Sequence, residues 1–224
     1  MGVTPEELAA TYPLLYHMAD AASWPSIQKH SLRSTSSLLD LFGISGKERR
    51  EIESTRRPNS VEIISTKYGR AVVRDQKPLS ESKLAKSLTG CTVPAWYRLL
   101  NKYVFFWLTK TRLQTLISAR AYRDTPHLIL TVDTLSLVKR YQERIVLSPM
   151  NSGNTQPFAH PRCPGTFMPM SDYPFKERAK YGSHYRVVEL AVEGGANLAE
   201  AIRSADIMKC HGTGMRTLEK ILRK

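Results

Sequence analysis

The sequence predicts an α+β fold, on three observations. Short segments with helix start and stop signals stand between short extended apolar runs along the whole chain. Hydrophobic residues at 42% and charged residues at 24% can build a sizeable core without general disorder. The 224 residues exceed a usual domain of about 100 to 150 but fall short of two full-sized ones, so a single domain over residues 1–224 with long excursions is expected.

Thr4-Pro5-Glu6-Glu7 carries an N-cap, a first-turn proline and a capping-box acid, so a short helix runs through Leu8-Ala9-Ala10 until Pro13 stops it. Leu14 to Met18 reads as a brief strand. Ser23-Trp24-Pro25 opens a second helix that ends near His30. Ser34 to Phe42 is a capped helix closed by Gly43, and residues 46–52 continue as a charged, exposed one. Residues 60–65 and 70–74 flank a turn at Lys67-Tyr68-Gly69 and should form a hairpin or paired edge strands.

Helices are expected over residues 80–88 and 93–100, before the aromatic strand Tyr103 to Leu108 and a helix at 112–120. His127 to Asp133 is the clearest buried strand, followed by a helix or a turn of one at 134–141 and an extended piece at 145–147. The stretch 148–184 is a long loop, rich in Pro, Gly, Ser and Asn from Ser148 to Gly182, and such length usually marks function. Tyr185 to Val192 is a strand ended by Gly194-Gly195. The tail continues through 199–204 and closes in a basic helix at 215–224.

The longest apolar run, Tyr103 to Leu108, is far below the roughly 20 residues that span a bilayer, and the start lacks the features of a secretory signal. Neither membrane span nor export is expected. Gly2 is not a myristoylation start, because Glu6 stands where Ser or Thr is required. Cys91, Cys163 and Cys210 lie far apart without a Cys-x-x-Cys pair, which fits a reducing cytoplasm. His160, Cys163, His184, Cys210 and His211 match no ligand spacing, so no metal is expected. A net charge of +13 favours polyanionic partners, nucleic acid above all.

Three groups could carry chemistry. Glu189 is the odd member of the apolar strand 185–192; it either faces solvent at a sheet edge or lines a cleft, since a desolvated carboxylate is costly. Tyr16-His17, an aromatic and an imidazole at a strand end, could meet a ligand, because an uncharged histidine can donate to ligand hydroxyls or amide oxygens. The rings of Tyr103, Phe105, Phe106 and Trp107 could stack on a nicotinamide or nucleobase, or simply fill the core.

The order of these pieces resembles the DarT-type ADP-ribosyltransferases. Leu14 to Asp20 and Trp24 to Leu32 are similar to their opening strand, helix and "G-L" turn, with His30-Ser31-Leu32 standing in the turn. Residues 103–108 look like their central aromatic strand, 128–133 like the next buried strand and 187–192 like the late strand bearing a single glutamate. Met18-Ala19 departs from the pattern, replacing the hydroxyl residue common after the family's histidine.

The resemblance implies a split β-sandwich with flanking helices, holding NAD as ADP-ribose donor without a metal. Glu189 would stabilise the oxocarbenium-like transition state, as carboxylates do in glycoside hydrolysis. His17, with Tyr16, Leu32 and Ser34 beside it, would contact NAD, and an aromatic among Tyr103, Phe105, Phe106 and Trp107 would stack on it. Arg98, and after it Arg74, would meet the pyrophosphate. Asn151, Ser152, Tyr173 and Phe175 would select the acceptor, expected to be single-stranded DNA or RNA, with an antitoxin or ADP-ribosyl hydrolase as a partner. Two other readings stand beside this one: a non-catalytic basic nucleic-acid-binding module, and an RNA 2′-phosphotransferase, against which counts the lack of an evident Arg-His set near Glu189. The Gly-x-Gly of residues 211–221 also superficially resembles a helix-hairpin-helix phosphate clamp.

Overall fold

The computed structural model describes residues 2–212 and 214–224. The first part of the chain forms α1 (Pro5–Thr11), β1 (Leu14–Asp20), α2 (Trp24–His30), β2 (Leu32–Arg33), α3 (Thr35–Phe42) and α4 (Gly46–Ser54). The middle adds β3 (Val61–Ser65), β4 (Gly69–Val73), α5 (Glu81–Ser87), α6 (Val93–Asn101), β5 (Tyr103–Trp107), α7 (Lys110–Ser118), β6 (His127–Asp133) and α8 (Thr134–Tyr141). Then come β7 (Ile145–Ser148), β8 (Met168–Pro169), α9 (Gly182–Arg186), β9 (Glu189–Glu193), β10 (Gly195–Ala196), β11 (Ile202–His211) and β12 (Gly214–Arg223). The class is α+β, built on a large antiparallel sheet.

Local chemistry sets the helix starts. The side chains of Thr4, Ser34, Thr92, Thr109 and Asp133 each accept from a backbone N–H of the helix they precede, a role worth about 1 kcal/mol apiece. No helix among the described residues is long and apolar enough to cross a membrane.

Eight strands form one sheet in the order β12-β11-β6-β1-β5-β9-β7-β8. β1 pairs with β6 along its whole length, Leu14↔Asp133 to Asp20↔His127, and β5 with β9 from Tyr103↔Glu193 to Trp107↔Glu189. Between them, β1 and β5 share the single register pair Tyr16↔Trp107. The sheet is therefore two four-stranded halves joined at one point, with backbone edges open to either side of it.

Alternation along the strands sends Leu15, Ala19, Val104, Phe106, Leu130 and Leu190 into the main core with Leu8 of α1 and Leu137 of α8. On the opposite face Tyr16, Met18, Trp107 and Ile129 pack on Leu113 and Ile117 of α7.

Two expected elements differ. Residues 215–224 are a strand, not a basic helix: β12 returns along β11 from His211↔Gly214 to Ser204↔Arg223. Register shifts at Ala205/Asp206 and Ile207/Met208 break the alternation a strand would show, leaving Met215, Leu218 and Leu222 at helix-like spacing. The glycines thus serve a β-hairpin rather than a helix-hairpin-helix clamp, and Thr213 of that motif lies outside the described residues. The late strand begins at Glu189, not Tyr185, because the carbonyls before it are already taken. Arg112 donates to His184 O (2.6 Å), Arg178 to Tyr185 O (2.7 Å) and Arg186 O (2.8 Å), and residues 182–186 form the turn of α9.

The two-stranded ladder β2·β10 tests the geometry in opposite directions at its two ends. Gly195 sits at φ 111°, and a Cβ there would lie 2.2 Å from Leu32 O. Gly195→Ala is therefore expected to cost about 3 kcal/mol in urea denaturation. Ser31, just ahead of β2, holds φ 67° and ψ 171°, a region almost reserved for glycine. Ser31→Gly should stabilise the protein by about 1 kcal/mol, while Ser31→Ala should give no gain.

Candidate active site

A cleft opens where β1 and β5 part. One lobe, a cavity of about 210 Å³, is lined by His17, Ala19, Ser31, Leu32 and Phe105 among others. A second, of about 240 Å³, contains Arg57, Asp75, Tyr122, Ser152 and Glu189. The lobes share the wall made by Thr35, Arg74, Tyr103 and Phe105, so His17 and Glu189 close the two ends of one concavity. Neither lobe alone reaches the roughly 300 Å³ of a small-molecule site; together they do.

Register fixes the span. Tyr16, Trp107, Glu189 and Ser148 lie in one row across β1, β5, β9 and β7. Two strand spacings put the Glu189 backbone about 10 Å from that of Tyr16, and His17 is the next residue.

At the first end, half-buried His17 binds Phe105 O through Nδ1 at 2.8 Å. A carbonyl only accepts, so Nδ1 carries the proton and Nε2 is left as an acceptor. Burial, with the Arg74 charge beside it, holds the imidazole down to about 4, so it is neutral near pH 7. The ring suits a ligand hydroxyl or amide N–H rather than an amide oxygen, the reverse of a donor role.

Arg74 leaves the end of β4, donates to Met18 O at 2.9 Å and lies 4.9 Å from the ring centre of Tyr122. Tyr122 is in turn held by Asp75 at 2.6 Å. Arg74 thus lines both lobes while its own neighbours hold the fork in place. Behind it, buried Arg57 donates to Arg74 O (3.0 Å) and Asn101 Oδ1 (2.9 Å), tying the end of β4 to α6; burial pushes it down to about 10.

At the other end, Glu189 is only 4% exposed, so the cleft alternative holds and the solvent-facing one does not. Its Oε2 accepts from Ser152 N at 3.0 Å. Burial raises the carboxyl to about 7, against the opposing pull of the Ser152 hydrogen bonds and the charges of Arg112 and Arg162. The Ser152 donor is itself positioned: buried Arg162 grips Ser152 O (2.9 Å) and Asn154 O (3.0 Å), pinning the loop over the carboxylate. Arg112, over the Tyr185 ring at 5.3 Å, adds its charge from α7.

Other expected residues divide. Tyr103 and Phe105 form the cleft's aromatic wall, backed by Phe167 at 5.3 and 6.0 Å between ring centres. Leu32 lines the His17 lobe. Asn151 and Trp107 border a further cavity of about 630 Å³ that adjoins the Glu189 lobe at Gly153.

Six residues are not brought to the cleft. Phe106 is 1% exposed and points into the main core, one residue out of phase with Phe105. Tyr16 alternates with His17 onto the α7 face. Ser34 is buried as the cap of α3. Arg98 lies on the exposed side of α6 and binds Ser54 Oγ at 3.1 Å, because Trp96, Tyr97 and Leu100 turn the other side of the helix inward. Tyr173 and Phe175 are fully buried, the first bonded to Arg186 O at 2.6 Å and the second covered by the Arg186 guanidinium, so they build the core rather than an acceptor surface.

Arg57, Arg112 and Arg162 escaped the sequence reading. Each is one arginine among many, and only the fold brings it to the cleft or to Glu189. With Arg74 and His17 they also supply the Arg-His set whose apparent absence had counted against phosphotransfer, although Arg57 and Arg162 spend their forks on protein oxygens. Among the described residues no group of three or more His, Cys, Asp or Glu could hold a metal ion.

A model of a family of unknown function, DUF7002, matches residues 13–202. No curated protein and no solved structure matches the chain.

Proposed function

The chain belongs to the DUF7002 family, whose function is unknown, and we propose that it is an NAD-dependent ADP-ribosyltransferase with the dinucleotide lying across the split between β1 and β5. One observation carries this reading: a neutral imidazole and a buried carboxylate close opposite ends of one cleft whose wall is aromatic. The residues fit the ligand. Tyr103 or Phe105 offers a flat face to nicotinamide, His17 Nε2 accepts from a ribose hydroxyl or the amide N–H, and Arg74 pairs with the pyrophosphate.

Breaking the bond between nicotinamide and ribose leaves positive charge on the sugar. Ionised Glu189, held by Ser152 N–H, stabilises that charge and is placed to take the acceptor's proton. The acceptor enters from the cavity beyond Glu189, where Lys77, Arg112 and Arg120 suit the phosphates of a nucleic acid whose base is modified. A partner that reverses the mark, or binds as an antitoxin, would complete such a system.

The deciding experiment incubates the protein with NAD and single-stranded DNA, RNA or protein extract, following nicotinamide release and acceptor mass, with Glu189→Ala as control. Transfer by the wild type alone is expected. Equal silence of both folded proteins would end the enzyme reading. Steeply salt-dependent nucleic-acid binding without NAD affinity would replace it with a binding module. Removal of phosphate from 2′-phosphorylated RNA, with no other acceptor used, would favour the phosphotransferase that the cleft arginines also allow.

A further inference from the structure

We propose that Cys91 and Cys163 form a reversible disulfide, closed by thiol exchange with a small-molecule disulfide, that staples the loop carrying Ser152 and Arg162 to the turn between α5 and α6. This holds whatever activity the cleft has. The two thiols are 163 − 91 = 72 residues apart in the chain, and nothing in their spacing pairs them.

The fold does. Arg162 N donates to Ser87 O at 2.8 Å and Thr89 N to Arg162 O at 2.9 Å, so Leu88 and Arg162 make a parallel bridge. Cys163 follows the bridge on one side. On the other, the chain turns at Gly90 (φ 72°) and delivers Cys91, three residues after Leu88. The two sulfurs sense each other, since Cys163 adds to burial in raising the Cys91 thiol above its ordinary value. Both residues are partly exposed, so an oxidant reaches them. Each side of the pair is held. Cys91 packs on the cluster of Leu84, Trp96 and Phe167, and Cys163 N donates to Thr166 Oγ1 at 3.1 Å. Cys210 lies elsewhere, with Ser118 Oγ and Gly212 O around its sulfur.

The exchange balances without any other reactant. One cysteine thiolate attacks the small disulfide, forms a mixed disulfide and expels one thiol; the second attacks the protein sulfur of that adduct and expels the other. The protein loses two electrons and two protons, and the oxidant becomes two thiols. Because Arg162 adjoins Cys163 and grips Ser152, the bond would fasten the segment that presents Ser152 N–H to Glu189. Disulfides are rare in a reducing compartment except as such transient, redox-responsive bonds.

The test treats the full-length protein with glutathione disulfide, then counts thiols in denaturant and measures intact mass. Titratable thiols should fall from three to one with the loss of two hydrogens and no retained glutathione. The thermal midpoint should rise on the order of 10 °C, returning with dithiothreitol. Cys91→Ser and Cys163→Ser should instead keep a glutathione adduct and show no rise, while Cys210→Ser should close the bond as the wild type does. Three free thiols in the treated wild type, glutathione left on both cysteines, or linkage through Cys210 would each overturn the proposal.

Discussion

Glu189→Gln is expected to lower the proposed ADP-ribosyl transfer roughly 10²- to 10³-fold while making the folded protein more stable above neutral pH. The two effects share one cause. Glutamine keeps an oxygen for Ser152 N–H but carries no charge, so it cannot balance the positive charge of the transition state. For stability, the direction follows from the raised pKa: the folded carboxyl holds its proton to about pH 7, whereas the ordinary value is 4.5. The folded state therefore binds more protons over that window, and stability present below pH 4.5 is lost as pH rises through about 7. The loss approaches about 3 kcal/mol, and glutamine removes it. Urea denaturation of both proteins should give similar midpoints near about pH 4 and a higher midpoint for the variant near about pH 8. A destabilised variant at the higher pH would mean that the buried carboxylate is compensated by its arginines after all. Wild-type turnover should rise through about pH 7 as the carboxylate ionises.

The second large effect is on binding. His17→Ala should weaken the proposed NAD binding roughly 10- to 100-fold, the cost of one buried acceptor lost from a desolvated site, and should change turnover at saturating NAD much less. Burial keeps the imidazole neutral down to about pH 4, so the His17 contact should contribute equally to the proposed NAD affinity between about pH 5 and 8, whereas Glu189 titrates within that range. Calorimetric titration of Glu189→Gln, which has no carboxyl to titrate there, checks this at both ends of the range, and a tenfold change in its affinity would mean that the imidazole is not the neutral acceptor proposed. The same residue sets a stability limit of opposite sign to Glu189. Its depressed pKa contributes stability above 6.5 that is lost as pH falls towards about 4. His17→Ala also removes the bond to Phe105 O beside the single pairing point of the two half-sheets, so some loss of stability accompanies the loss of affinity.

How much of the site was visible in the sequence depends on how far each signal reaches along the chain. His17, Tyr103, Phe105 and Glu189 stood out because an imidazole, a row of rings or one carboxylate interrupts an otherwise simple strand, and Arg74 because it ends one. Phase then separates neighbours that composition cannot: Phe105 meets the cleft and Phe106 the core, His17 the cleft and Tyr16 the α7 face. The expected acceptor rings Tyr173 and Phe175 failed for a different reason. A loop rich in proline and glycine can still be interior when arginines satisfy its carbonyls, as Arg178 and Arg186 do here.

By itself the sequence determined the helices α1 to α8, the caps Thr4 and Ser34, the paired strands β3 and β4 and the strands β1, β5 and β6, because caps, turns and apolar runs act within a few residues of themselves; Ser23, expected as a cap, makes no side-chain cap bond. Only the tertiary structure decided that β12 is a strand, that β1 and β5 touch at one pair and then part, and that Arg112 and Arg162 flank a buried Glu189. Those outcomes depend on which edges pair and which side chains lose water together, and that is settled between segments far apart in the chain.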